Sequence, residues 1–540
     1  MSLLGANNPT QNSPDSHTTS RSVIPISPEN QQQVLTPPSP ISSGAIEISP
    51  GRFISSRRAN DVIEKYRKTI VPIFPFVPLD EQINADELFR DTPILFRTLV
   101  EIVASAGESD PLFPQWFRST VAMELVVKRK PSLELLQAII LLIVGNRFHG
   151  AENAFSDILH LAVGVAADLG LSRSPYYQRM IPSELLEAAL ARVQRTRPQR
   201  EHTNMEIRAV FGLFLITSRA FISAREPLAV PFTTYMAQYF DSLSAQRELP
   251  TDHFLIAIIR LQRLAVRIAS TFTHPKQDEC APAIFNESIY MTIRSFEKEI
   301  DACADETRSL YRVHFNTVKA RLYESAIFLA VPSPNPAPTL RPEILWSCLR
   351  SCIDVVDVLV TLPDQDILFA PAIPTTHAGF ANITMSRLLF LDAPDWDSRL
   401  ARQTTNFPLR GRQLSEKFGA CEQAVGIKMF ETAEDVNTTQ QPASETPTSI
   451  FAINRARLIW ATDWYNAKLI AAETPQPNVS APVGYNPIID PPAHSLYNSQ
   501  DLVPPDHMFF QGDNVSLQDP LAPEFAKTWM GFDGFTLWGV

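Results

Sequence analysis

Thr251-Asp-His-Phe-Leu-Ile-Ala-Ile-Ile-Arg-Leu-Gln-Arg-Leu-Ala-Val-Arg-Ile-Ala-Ser-Thr-Phe-Thr273 decides the fold class. Phe254, Ala257, Ile258, Leu261, Leu264, Ala265 and Ile268 recur at spacings of three and four, while Arg260, Arg263 and Arg267 take the opposite side. That is the pattern of an α-helix with one apolar stripe turned to a core. Similar patterns occupy Glu152–Leu169, Ile284–Ala304, Thr307–Ala330, Pro342–Leu362 and Ile450–Ala472. Pro131-Ser132 introduces a helix at Leu133–Val144, and Asn204 stands where it would cap a run starting at Met205. No sustained alternation at period two is read, so the expectation is an all-α fold with no sheet. It takes the form of one large multi-helix region over residues 59–472.

Outward from this region the composition changes. The chain has 540 residues with 45 prolines and only 18 glycines, which suits helices broken by stiff loops better than a sheet protein rich in tight turns. Val331–Pro338 carries four prolines in eight residues and predicts a stiff connector, and the polar stretch Glu431–Ser449 predicts a second, weaker break. Residues 1–58 form the expected unstructured head. Its first 50 residues hold four charged side chains, eight prolines and ten serines, too little apolar surface to offset ordering entropy. Five Ser-Pro or Thr-Pro steps in it would accept proline-directed phosphates, although a Pro/Ser-rich spacer is the plainer reading. Residues 473–540 form an expected acidic-aromatic, largely disordered tail with eight acidic residues against Lys527 alone. Phe509, Phe510, Phe525, Trp529, Met530, Phe532, Phe535 and Trp538 are set among those acids. This is the composition of an acidic-hydrophobic activation segment, and equally of a tail that packs its aromatics back onto the helices.

The net charge of −11 argues against binding nucleic acid over the whole surface. Lys128-Arg129-Lys130 and the looser set Arg192, Arg195, Arg197 and Arg200 are short basic clusters, read as solvated interhelical loops before nuclear-import signals. The five cysteines (Cys280, Cys303, Cys348, Cys352, Cys421) are odd in number and suit a reducing compartment. The N-terminus lacks the basic and apolar regions of a signal peptide, and no apolar run approaches the roughly 18–20 residues that span a bilayer. A soluble, intracellular protein with no membrane partner is expected.

Catalytic signatures are missing: no glycine-rich dinucleotide or phosphate loop, no Gly-x-Ser-x-Gly and no His-Glu-x-x-His occurs. His149 and His160 are about three helical turns apart, and Cys348 and Cys352 are spaced i, i+4. Surface or core histidines and buried apolar cysteines are the better readings of these pairs. Asp392, Asp395 and Asp397 would suit a magnesium–diphosphate site only with an opposing acidic set, and none is evident. A helix-terminating loop with capping aspartates is the better reading. The sequence therefore assigns no catalytic, metal-binding, cofactor-binding or DNA-binding residue, and no cofactor.

Several segments, in order, resemble the fungal-specific transcription factor domain, the middle homology region of fungal zinc-cluster regulators. Val71-Pro-Ile-Phe-Pro-Phe-Val77 resembles the Phe-Pro step that leads into the family's first core helices, and Leu133–Leu142 its helix with a Gln and a leucine run. His160-Leu-Ala-Val-Gly-Val-Ala-Ala-Asp-Leu-Gly-Leu-Ser-Arg173 is similar to its Ala-x-Asp-Leu-Gly-Leu-x-Arg helix end. Glu206–Phe214 followed by Ala224-Arg-Glu-Pro227 resembles the next helix and its loop. The likeness covers roughly residues 60–245 and continues beyond only as helical character. Asp168-Leu-Gly-Leu171 also has a physical reading of its own, a helix closed by Gly170 in a left-handed cap with Leu171 folding back.

The resemblance implies a nuclear transcriptional regulator, pathway-specific and of the kind that includes regulators of secondary-metabolite clusters. Its expected partners are the transcription machinery or co-regulator proteins, with DNA reached indirectly and a homo- or heterodimer left open. The family's six-cysteine, two-zinc DNA-binding module has no counterpart, since no cysteine precedes Cys280. Two alternatives follow: such a module is encoded upstream of Met1, or the protein reaches promoters through partners. A helical interaction scaffold or effector-binding protein without DNA contact is the alternative function.

Overall fold

The computed structural model describes residues 45–49, 52–103, 110, 112–145, 148–149, 155–172, 201–224, 230–272, 284–304, 306–329, 340–426 and 448–473. Contacts divide the chain into residues 1–45 and 46–540, and of the first unit only Ala45 is described. The second is all-α. Its helices are α1 (Ser56–Thr69), α2 (Ala85–Asp91), α3 (Pro93–Val103), α4 (Phe113–Ala122), α5 (Leu133–Gly145) and α6 (Phe155–Asp168). There follow α7 (Asn204–Ala224), α8 (Thr234–Gln246), α9 (Asp252–Thr271), α10 (Glu287–Asp301), α11 (Ser309–Glu324) and α12 (Arg341–Thr361). The series ends with α13 (Asp364–Leu368), α14 (Ala372–Leu389), α15 (Ser398–Thr405), α16 (Phe407–Gly426) and α17 (Ile450–Glu473). The helix read at Thr307–Ala330 stops earlier than expected, at Glu324, and tightens into a 3-10 turn at Ser325–Ile327.

Two expectations are corrected. Within residues 1–58, expected to be unstructured, β1 (Ala45–Ser49) pairs with β2 (Arg52–Ser55), and α1 begins at Ser56. Ile46, Ile48 and Ile54 are buried and Glu47 is exposed, so the alternation over Ile46–Ile48 is enough to seat the strand pair on the core. The expectation of no sheet also fails at β3 (Phe148–His149), which pairs antiparallel with β4 (Thr448–Ser449). These strands are too short to show any period. The proline-rich connector Val331–Pro338, the arginine set at 192–200, Cys280 and the tail beyond Glu473 lie outside the described residues.

Local chemistry fixes the helix ends. Ser55 caps α1, and Asn84 and Glu87 form a reciprocal capping box on α2. The first free N–H groups of α3 are capped from another helix: the Glu134 carboxylate accepts from Ile94 N at 2.6 Å and Leu95 N at 3.3 Å. The α6 terminus has the expected geometry. Gly170 has φ +71°, its N–H donates to Ala167 O at 3.0 Å, and Leu171 N–H donates to Ala166 O at 3.0 Å with Leu171 fully buried. Those two bonds close the helix in a Schellman motif, so the best-matching segment of the resemblance is a packing device.

The Phe-Pro step is also core. Phe74, Phe76 and Val77 are fully buried, and Tyr66 Oη donates to Val77 O at 2.5 Å. Phe76 lies so close to α7 that a Cβ on Gly212 would sit 2.7 Å from the Phe76 Cβ. One hydrophobic cluster runs from Ile46 to Tyr465. At its middle α11 packs on α12, both pack on α14, and α7 and α9 close over α11.

Candidate functional site

The residues singled out in the sequence are placed separately. Asp395 pairs with buried Arg341 at 2.5 Å, Asp397 caps α15 by accepting from Leu400 N at 2.9 Å, and Asp392 is exposed. Cys348 and Cys352 are free, buried and on the core face of α12, and burial raises the Cys348 thiol well above its ordinary pKa. His160 is exposed, and the side chain of His149 lies outside the described residues. Lys128, Arg129 and Lys130 are exposed after a π-turn at Met123–Val127, with Lys128 paired to Glu124 at 2.6 Å. Among the described residues no three His, Cys, Asp or Glu side chains are grouped to hold a metal, and no helix is long and apolar enough to cross a membrane.

The arrangement that does gather chemistry was not legible in the sequence. It is a cavity of about 30 Å³ between α7, α9, α11 and α14, with Arg219, Gln262, His314, Arg321, His377 and Phe380 in its wall. Four helices place these side chains, beginning with α7. The cap of α7 is Thr203, one residue before the expected Asn204: Thr203 Oγ1 accepts from Glu206 N at 3.3 Å, and Glu206 accepts from Thr203 N at 2.8 Å. Asn204 instead donates to Glu248 at 2.9 Å. One turn on, buried Arg208 grips Asp252 at the start of α9 through two bonds of 2.9 Å, and Glu248 at 2.9 Å. Ten residues further along both helices, Gln262 Nε2 donates to Ser218 Oγ at 2.8 Å. The equal sequence offset of the two contacts makes α7 and α9 parallel neighbours in fixed register over about 15 Å.

That register sets the polar wall. Because Ser218 Oγ takes the Gln262 amide N–H and itself donates to Leu215 O at 3.2 Å, Gln262 Oε1 is turned away from it and has no partner among the described residues. One residue after Ser218, Arg219 makes no ion pair among the described residues, and its Nε is sealed from solvent without a hydrogen bond. Burial lowers its pKa to about 9, so it stays cationic at neutral pH. Arg321, by contrast, is spent on the Phe380 ring face at 4.0 Å and on Glu324.

His314 on α11 is 3% exposed and His377 on α14 is 4% exposed. Neither ring nitrogen of His314, nor Nε2 of His377, has a hydrogen-bond partner among the described residues. Burial and then neighbouring positive charge hold both imidazoles well below the usual histidine pKa. Besides the engaged Arg321, the site therefore holds one cation without an ion pair, two neutral imidazoles and the Gln262 carbonyl, whose free donors and acceptors find no partners among the described residues.

No known protein-family profile matches the chain, and no solved structure matches it. It is similar to three fungal proteins named as transcription factors. With himD of Aspergillus japonicus it is 24% identical over 358 residues, 64% of this chain and 57% of that protein. With opdL of Penicillium oxalicum it is 21% identical over 393 residues, 69% of this chain and 67% of that protein. With pbcR of Emericella nidulans it is 21% identical over 380 residues, 68% of this chain and 49% of that protein. The chain thus spans between about half and two thirds of these relatives. Residues 1–55 and 474–540 are far fewer than any of the three spans, so most of each match falls within residues 56–473.

Proposed function

We propose that this chain is a fungal transcriptional regulator acting in the nucleus, specific to one pathway and of the kind that controls a secondary-metabolite gene cluster. The observation that carries the reading is the similarity to three fungal proteins named as transcription factors, extended over most of the helical body. Two sequence features support it: the ordered motifs between residues 60 and 245, and the acidic-aromatic composition of residues 473–540. In this reading the helical body carries partner and effector contacts. The tail recruits transcription machinery by burying aromatics in a groove, and DNA is reached through partners or a module outside this sequence. No residue has a catalytic role in it.

The test joins two measurements. Residues 473–540 fused to a heterologous DNA-binding domain are expected to activate a reporter, and deletion of the gene is expected to silence a confined gene set. A silent fusion together with an unchanged transcriptome overturns the regulator. A second reading, an effector-binding helical protein without DNA contact, is favoured by the unpartnered polar cavity. Absence of the protein from promoter chromatin, with the cavity still binding ligand, selects it.

A further inference from the structure

We propose that the cavity between α7, α9, α11 and α14 is a binding site for a small hydroxycarboxylate, with the carboxylate on Arg219 and the hydroxyl on Gln262. The charge comes first. A half-buried guanidinium whose Nε is sealed from water, with no carboxylate partner among the described residues, carries a desolvation cost that the described residues do not offset, and a bound anion supplies the missing partner. Its planar fork matches the two oxygens of a carboxylate. The imidazoles of His314 and His377, 3% and 4% exposed, line the same cavity, and each neutral ring has one N–H to donate.

A second, independent feature sets the class. Gln262 is 1% exposed, and its Oε1 is an acceptor fixed in direction by the Ser218 bond, so it requires a donor from the ligand. An oxyanion alone has no donor, whereas a hydroxyl beside the carboxylate has one. Size agrees: about 30 Å³, on a scale where one water needs roughly 10–15 Å³, gives room for a carboxylate and its neighbouring hydroxyl.

Glycolate is the probe. Titration calorimetry of the full chain at neutral pH is expected to show saturable binding at one site per chain. Acetate, which lacks the hydroxyl, is expected to bind about tenfold more weakly, and glycolamide, which lacks the charge, not measurably. Arg219→Met removes glycolate binding, and Gln262→Leu brings glycolate down to the acetate level. No saturable binding of glycolate, equal binding of glycolamide, or undiminished binding in Arg219→Met overturns the site. Binding of nitrate without binding of any carboxylate overturns the assigned class in favour of an inorganic oxyanion. Should a variant not fold, the imidazole proton resonances of His314 and His377 in the unaltered chain give the same reading: they shift with glycolate, and their constancy overturns the proposal. Only the use of this site as an effector switch rests on the regulator reading. Binding in solution with no change in the transcripts removes that use, whereas a transcript response without binding removes the site alone.

Discussion

The rings of His314 and His377 lie 5.3 Å apart, centroid to centroid and tilted by 42°, although 62 positions of chain separate them. Burial, followed by the nearby arginine charge, keeps both neutral. Their folded pKa values lie below the unfolded value, so the unfolded chain takes up protons first as pH falls through about 6.5. Stability is therefore greatest above that pH and declines below it, by at most about 1.4 kcal/mol per pH unit for each histidine. Urea midpoints followed from pH 7.5 to 5.5 are expected to fall more steeply in the unaltered chain than in a His314→Gln, His377→Gln double variant.

Arg219→Met is expected to raise stability while removing the cavity's charge. Replacing a half-buried cation that has no ion-pair partner among the described residues by an apolar chain of similar length removes desolvation without breaking an ion pair there, a gain of about 1 kcal/mol. Thermal melting checks this, and a lowered midpoint would point to a partner for Arg219 within the protein.

Asp252→Ala is expected to act in the opposite direction. It leaves Arg208, 1% exposed, with only the half-exposed Glu248, and breaking a buried pair in this way costs about 3–5 kcal/mol. Because the same contact sets the register of α7 on α9, the loss is expected to reach Gln262 and with it the cavity. Denaturant unfolding measures the first effect and glycolate titration the second.

Two glycines on α6 and its cap are expected to respond with opposite signs. Gly164 lies in mid-helix, and beyond its own helix backbone no atom stands within 4 Å of where an alanine methyl would sit, so Gly164→Ala stabilises by up to about 1 kcal/mol. Gly170 has equally open surroundings but φ +71°, so Gly170→Ala costs about 1 kcal/mol through backbone strain alone. Paired melting curves on the two variants separate space from conformation.

The aspartates at 392, 395 and 397 are expected to differ from one another. Asp395→Ala leaves Arg341 buried and unpaired and destabilises by a few kcal/mol, Asp397→Ala costs about 1 kcal/mol as a lost cap, and Asp392→Ala is neutral. Chemical denaturation of the three single variants checks the order. A shared reaction would instead couple them.

How much of this was visible in the sequence depends on whether an element has a surface. The helix read from Thr251–Thr273 runs from Asp252 to Thr271 because one side meets solvent and the apolar stripe stands out. The Gly170 cap was legible from a single local conformation. Ala372–Leu389 shows no stripe: it is buried on nearly every side, with Thr375, Asn382 and Ser386 donating to carbonyls four residues back. A helix that burial surrounds has no face to read. The cavity was hidden for a related reason. Arg219, Gln262, His314 and His377 sit on four helices, and only the packing of those helices turns four scattered residues into one lining. The paired strands Ala45–Ser49 and Arg52–Ser55 left a signal in Ile46-Glu47-Ile48, too brief to register as a period.

The antiparallel pair formed by Phe148–His149 with Thr448–Ser449 has a temporal meaning as well as a spatial one. About 300 residues separate its two sides, so on the ribosome the earlier strand waits about 15–60 s before its partner has been synthesised. During that interval the apolar faces that α16 and α17 later cover stand open. A chain that ends before α17 leaves the apolar face of α16 that α17 covers exposed to solvent.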